Sequence, residues 1–404
     1  MRERYELVPY LCGTVAARTG DETSGPALLL VGIAATGSAA TGSALLAGVT
    51  AAAAIGGPVL GVVLDRARRP GRLLAVILTV NVLGLALVAL LLEHLPLAPV
   101  LILALAVGSL GPALSGGWTA QLPRLVTPDR LTRANAWDAM TFGAASLVGP
   151  ALAGTVALGL GAMAAVMVAV ALIGLAAPLA WSLPSRPTRP VPTPVLDALA
   201  AGVRAVLRNR ALARVTVVST ISIAGTGMFV VAAPVLGERL LGGAPYGALL
   251  LSVMAVCALT ANLVVALRPV PVSPDTMVSV CTLVQVSGVV GVLLAPSAFW
   301  LWPAVAVLGA AEGPQLTALF TVRHREAPDH LRTQVFTTAA SLKVSAFAAG
   351  AALAGPLADH ALTLCLAVAA ATQVVAALVA LLVRPSRPGR GRRGVPTESV
   401  RSRA

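Results

Sequence analysis

Five charged residues lie near the middle of long apolar segments of this 404-residue chain: Arg18, Asp21, Glu22, Glu312 and Lys343, the last being the only lysine. A charge at mid-bilayer costs at least ~2.5–3.5 kcal/mol on insertion scales, so residues kept there mark pathways, proton relays or ion pairs. Asp21 and Glu22 follow Arg18 at helical i+3 and i+4 spacing, which places all three on one helix face. Set against each other, two bases and three acids leave one carboxyl over. A carboxyl with no cation beside it in a low-dielectric site holds a proton more readily. Such a group suits proton coupling, and it would also attract a cationic substrate. The competing reading is a fixed salt-bridge network that ties helices together. Asp138, five residues after Arg133, ranks lower and reads as an interface contact.

Other chemistries find no support. Cys12, Cys257, Cys281 and Cys365 stand singly in apolar segments with no CxxC, so neither a disulfide framework nor a zinc site is expected. His94, His324, His330 and His360 are expected in solvated loops, and His324 and His330 stand among arginines, which repel a metal. The chain contains no GxSxG, HExxH or GxxxxGK[ST], so an enzyme is not expected and no cofactor is called for. Gly389, Gly391 and Gly394 have GxGxxG spacing, but no strand precedes them and no helix follows.

The elements that must position the five charges follow from composition. The chain is 57% apolar and 11% charged, with a mean hydropathy of +0.88. A soluble domain carries about 25% charged residues. Twelve segments are long enough to cross a bilayer, at 8–35, 42–64, 73–92, 97–118, 134–157, 160–182, 213–236, 246–267, 276–295, 299–322, 333–356 and 361–383. They lack period-2 alternation, and helices satisfy the backbone in lipid. The expectation is an all-α polytopic membrane protein. Residues 1–182 form a six-helix bundle, 183–212 a cytoplasmic linker with an amphipathic helix, 213–383 a second six-helix bundle, and 384–404 a basic disordered tail. Met1 to Tyr10 is charged and lacks a cleavage site, so the first segment is expected to act as an uncleaved anchor.

The net charge of +13 resolves into topology. Of 29 basic residues, 26 fall in the two termini and in the even-numbered connections, one (Arg239) on the opposite side, and two (Arg18, Lys343) within segments. This is the positive-inside pattern and places both termini in the cytoplasm. It argues against a nucleic-acid partner, because the arginines form no single stripe. Val195 to Ala213 carries Leu196, Leu199, Val203, Val206 and Leu207 on one face, with Arg204, Arg208 and Arg210 mostly off it. That pattern suits a helix lying on the inner membrane surface.

The two halves echo each other. TPDRL at 127–131 matches APDHL at 327–331, and Gly111-Pro112 matches Gly313-Pro314. Six segments, a linker and six more is the pattern of a duplicated transporter with its site between the repeats. The loop after the second segment, Gly61-Val-Val-Leu-Asp65-Arg66-Ala-Arg68-Arg69-Pro-Gly71-Arg72, resembles the G-x-x-x-D-R-x-G-R-R signature of the major facilitator superfamily. Gly149-Pro150-Ala-Leu-Ala153-Gly154 resembles that superfamily's antiporter motif. RTGDET, TPDRLTRANAW and AGVRAVLRNRALAR are similar to stretches of its bacterial drug and siderophore exporters. Arg68 replaces the signature's loop glycine, Ala145 replaces a motif glycine, and the second-half copy at 268–275 keeps one arginine.

The resemblance implies twelve transmembrane helices in two bundles, with the first and tenth lining a central cavity. It implies a gating role for Gly61, Asp65, Arg66, Arg69 and Arg72. Asp65 would pair with an arginine or sit at the N-terminus of a neighbouring helix. Gly149 and Gly154 would permit close packing around a kink at Pro150. The function implied is proton-coupled export of small amphipathic molecules through a bacterial inner membrane by a monomer driven by the proton gradient. Protonation of Asp21, Glu22 or Glu312 would compete with substrate. Proton symport of a small solute, or a non-transporting receptor with the same fold, are the alternatives.

Overall fold

The computed structural model describes residues 2–36, 39–184, 195–242, 246–268 and 271–383. The proline-rich stretch 185–194 and the tail 384–404 lie outside the described residues. Among the described residues there are no strands. The first half comprises α1 (Arg2–Thr36), α2 (Ala39–Ala51), α3 (Ala53–Arg66), α4 (Pro70–Leu91), α5 (Leu97–Gly108), α6 (Leu131–Leu160) and α7 (Ala162–Trp181). A π-helical turn, Ala113–Gly117, extends α5. After α8 (Val195–Arg208) come α9 (Arg210–Leu241), α10 (Tyr246–Leu267), α11 (Pro274–Leu293), α12 (Ala298–Glu326), α13 (Arg332–His360) and α14 (Leu362–Leu382).

Ten of these helical stretches are long and apolar enough to cross a membrane. The first two expected spans are not among them, for physical reasons. Helix α1 carries Arg18, Asp21 and Glu22, and the second span is broken into helices of 13 and 14 residues. With both included, the helices fit the twelve expected spans. Pro58 in α3 removes one rung of the helical ladder. A neighbouring rung is taken over by Ser341 of α13. Gly57 N–H donates to its Oγ (3.1 Å), and that hydroxyl donates to the Ala53 carbonyl.

Each half has its own core. One apolar cluster runs from Tyr10 to Ala180, and two others lie wholly between Ala211 and Ala380. A smaller cluster bridges the halves, joining Ala120 and Ala139 to Phe320 and Phe336. Helix α8 lies at the arginine-rich end. Val203 and Leu207 are exposed on it beside Arg204 and Arg208, while Val206 packs on Leu212, Ala327 and Val335. Asn209 then caps α9, accepting from Ala211 N–H (2.9 Å) and Leu212 N–H (3.1 Å).

Three loop expectations are corrected here, the first being His360, which is the last residue of α13. Helix α12 runs on to Glu326, so Arg323 and His324 are helical and buried at 2% and 4% exposure, not solvated. The apolar segment ends at Val322, but the helix keeps its backbone bonds beyond it and the second half packs around that extra turn.

Candidate transport site and its gate

Arg18 leaves the group in which its spacing placed it. Its partner is Asp138 of α6, 120 residues away, with Nη1 to Oδ1 at 3.0 Å and both side chains buried. Nη1 also donates to the Asp138 carbonyl (2.9 Å) and to Thr141, and Nη2 donates to Thr119 Oγ1 (2.8 Å). Asp138 is saturated in turn, accepting from Tyr10 Oη (2.8 Å) and Thr119 Oγ1 (2.8 Å). The Arg18 guanidinium stacks 3.6 Å from the Phe142 ring centroid. Pairing among the five charges is therefore corrected: Arg18 neutralises Asp138, not its sequence neighbours Asp21 and Glu22.

Asp21 is half-buried and makes no side-chain hydrogen bond or ion pair among the described residues. Glu22 is exposed and accepts one weak bond, from Ser146 Oγ at 3.3 Å. That contact depends on Gly149. A Cβ built there would stand 2.6 Å from Glu22 Cβ, so only glycine lets α6 approach α1 so closely. Pro150 has no N–H, and α6 continues through it. Gly154 differs from the expectation: nothing lies within 4 Å of its Cβ position, so it serves no close packing here. Glu312 and Lys343 are both half-buried on α12 and α13. They lie within electrostatic reach of each other but make no ion pair among the described residues. The structure thus sorts the five charges into three places: a closed pair at Arg18, an acidic pair at Asp21–Glu22, and a loose pair at Glu312–Lys343.

The signature loop works across the halves. Asp65 is buried and accepts from Thr333 N–H (3.0 Å) and Gln334 N–H (2.7 Å) in the first turn of α13. Of the two roles expected for Asp65, these bonds show the helix N-terminus, where orphan donors and the dipole favour a carboxylate. Gly61 makes the approach possible, since its Cβ would lie 2.3 Å from Gln334 Cα. Arg72 stacks 4.9 Å from the Trp181 ring centroid, and Arg69 is exposed. Arg66 is half-buried at the end of α3.

Further bonds close the same end of the seam between the halves. Asn135 Nδ2 donates to Thr321 Oγ1 (3.1 Å), Asn262 Nδ2 to the Ala136 carbonyl (3.1 Å), and His324 Nε2 lies 3.0 Å from the Thr119 carbonyl. Beside them runs a chain of rings. Phe142 meets Phe320 at 5.7 Å, Phe320 meets Phe336 at 5.8 Å, and Phe336 meets His324 at 4.4 Å. These aromatics pack on one another, sealing the seam.

Sequence reasoning missed several of these parts. Ser341 gave no signal, because a serine in an apolar helix is unremarkable until its partner is known. Asp275 was seen only in a decayed motif. It binds both Arg214 (3.2 Å) and Arg325 (2.8 Å), tying α9, α11 and α12 together. Arg323 was assigned to a loop by charge alone.

Two helical halves around a midline with charges, closed at one end by a loop signature, define a secondary transporter that works by alternating access. The comparisons agree: residues 10–351 match the model of the Major Facilitator Superfamily, and the chain belongs to that family, as a multi-pass membrane protein. An uncharacterised MFS-type transporter, y4rN, of Sinorhizobium fredii is 26% identical over 291 residues, covering 68% of this chain and 69% of that protein. Among solved structures, a bacterial homologue of the iron transporter ferroportin in the outward-facing state superposes with a TM-score of 0.77 at 16% identity, covering 94% of this chain and 99% of the other. The human organic anion transporter MFSD10 gives 0.70 at 14% identity, over 94% and 100%. The E. coli fucose:proton symporter FucP gives 0.72 at 11%, over 96% and 100%. At these identities the likeness concerns the fold.

Proposed function

We propose that this chain exports small amphipathic molecules in exchange for protons, as a monomer in a bacterial inner membrane with both termini in the cytoplasm. The two six-helix bundles, 1–182 and 213–383, rock about the seam, with the linker 183–212 bridging them. The observation that supports this reading is the sorting of the membrane charges. Arg18 is spent on Asp138, which leaves Asp21, Glu22 and Glu312 with no cation in contact among the described residues. These three carboxyls are the groups on which a proton and a substrate compete. In the orientation given by the arginines, the closed seam is the cytoplasmic gate and the state is outward-facing. Asp65 on α13, with Gly61 and the arginines 66, 69 and 72, latches that state.

The test is transport in reconstituted vesicles under an imposed pH gradient. Asp21→Asn, Glu22→Gln and Glu312→Gln should each be measured for uptake of a fluorescent amphiphile and for proton flux. At least one should uncouple the two. Normal proton-driven rates in all three variants would overturn the proton assignment. Proton and amphiphile moving in the same direction would replace exchange with symport.

A further inference from the structure

Among the described residues three arginines are buried to 3% exposure or less, and two of them are neutralised: Arg18 by Asp138 and Arg214 by Asp275. The third, Arg323 of α12, has no carboxylate partner among the described residues. Its one hydrogen bond among the described residues runs from Nη2 to Ser219 Oγ of α9 at 2.9 Å; its Nε is buried without a partner, as is that of Arg18, so the missing carboxylate is what sets Arg323 apart. A buried guanidinium left in this condition is costly, because neither water nor a counter-charge replaces its lost hydration.

Lys343 of α13 is half-buried and likewise in no ion pair among the described residues. It lies on one helical face with Phe347 and Gly350. That face meets α9: the Phe347 carbonyl abuts Gly227, and Gly350 abuts the Ala224 carbonyl. Helices α12 and α13 therefore each bring a cation towards α9. The two helices are joined by the short turn 327–331 and run in opposite directions. Helical side chains lean towards their own N-terminus, so Arg323 leans towards mid-membrane and Lys343 leans back to meet it. Lys343 lies within electrostatic reach of Arg323. Glu312 stands about three turns before Arg323 on the same face of α12 and lies within electrostatic reach of Lys343. Two cations facing one acid leave a positive charge unanswered.

We infer that Arg323 and Lys343 form a docking site for an oxyanion, the carboxylate or phosphate end of an organic anion, in the second half of the molecule. The transported amphiphile then carries an anionic group at one end, apart from the cationic group with which it competes for the carboxyls. The guanidinium offers the planar fork that suits an oxyanion, and the ammonium supplies a second charge. Ser219 fixes the fork. This inference rests on the transporter reading and names a substrate class for it.

The experiment is ligand-induced thermal stabilisation of the purified full-length chain, with benzoate and inorganic phosphate as anionic probes and tetraphenylphosphonium as a cationic control. Benzoate or phosphate should raise the melting temperature saturably. Arg323→Gln and Lys343→Gln should each weaken that effect by about tenfold or more, as expected for one charge-assisted contact. Arg323→Lys should keep part of it, and the response to tetraphenylphosphonium should not change. If Arg323→Gln does not fold, Lys343→Gln decides alone. Absence of a saturable anion effect in the wild type up to about 10 mM, where only very weak sites stay empty, would overturn the inference. So would an unchanged effect in the variants. No proton gradient enters this measurement, so its failure leaves proton exchange standing, and failure of proton exchange leaves the anion site standing.

Discussion

At the scale of single residues, Arg18 and Asp138 show how a buried charge is made tolerable. Every oxygen of Asp138 has a donor, and the guanidinium has a carboxylate, two hydroxyls and an aromatic face. Removing one partner strands the other, at a cost of about 3–5 kcal/mol, whereas an apolar pair of similar volume is often neutral. Asp138→Ala should therefore lower the melting temperature strongly. The double substitution Arg18→Met with Asp138→Leu should recover most of the loss, read by thermal denaturation in detergent. A double variant no more stable than the single one would show that the pair serves more than its own neutralisation. The sequence marks Arg18 as special, because any charge in an apolar run stands out. It does not say which acid answers it, since Asp21 and Glu22 are near in sequence and Asp138 is near only in space.

At the scale of elements, the contact between α3 and α13 carries the gate. Two conditions meet there: a carboxylate on the α13 N-terminus and a glycine that lets the backbones touch. Gly61→Val would press its side chain into Gln334 and should favour the state open at the arginine-rich end. Asp65→Asn removes the charge but keeps an acceptor, and should shift the same equilibrium by about 1 kcal/mol. Spin-label distances across that end would report both, with the larger opening expected for Gly61→Val. No change in the distance distribution would separate this contact from gating. The motif is visible in the sequence as a spacing of glycine, aspartate and arginines. Its target is not, because the first turn of α13 has no residue type that advertises a bound carboxylate. Gly149 and Gly154 make the same point from within one motif. Both are glycines five residues apart, yet only Gly149 faces a neighbouring backbone.

At the scale of the whole molecule, alternating access requires the closed seam to part. Asn135 and Thr321 face each other across it at 3.1 Å. Cysteines at both positions, in a chain freed of its own four, joined by a short bifunctional thiol reagent, should stop transport in vesicles. Cleavage of the reagent by a reductant should restore it. Transport that continues through the cross-link would rule out rocking about this seam.

The sequence alone determined that the chain is helical, that it has two echoing halves and that its arginines gather at one end. Each of these follows from a local or periodic cause: segment length against bilayer thickness, absence of alternation, and the cost of moving arginine across lipid. Only the tertiary structure decided which charges are answered. Counter-charges and close backbone approaches are properties of neighbouring helices. The packing that brought Asp138 to Arg18 and the α13 N-terminus to Asp65 left Arg323 and Lys343 with no carboxylate in contact.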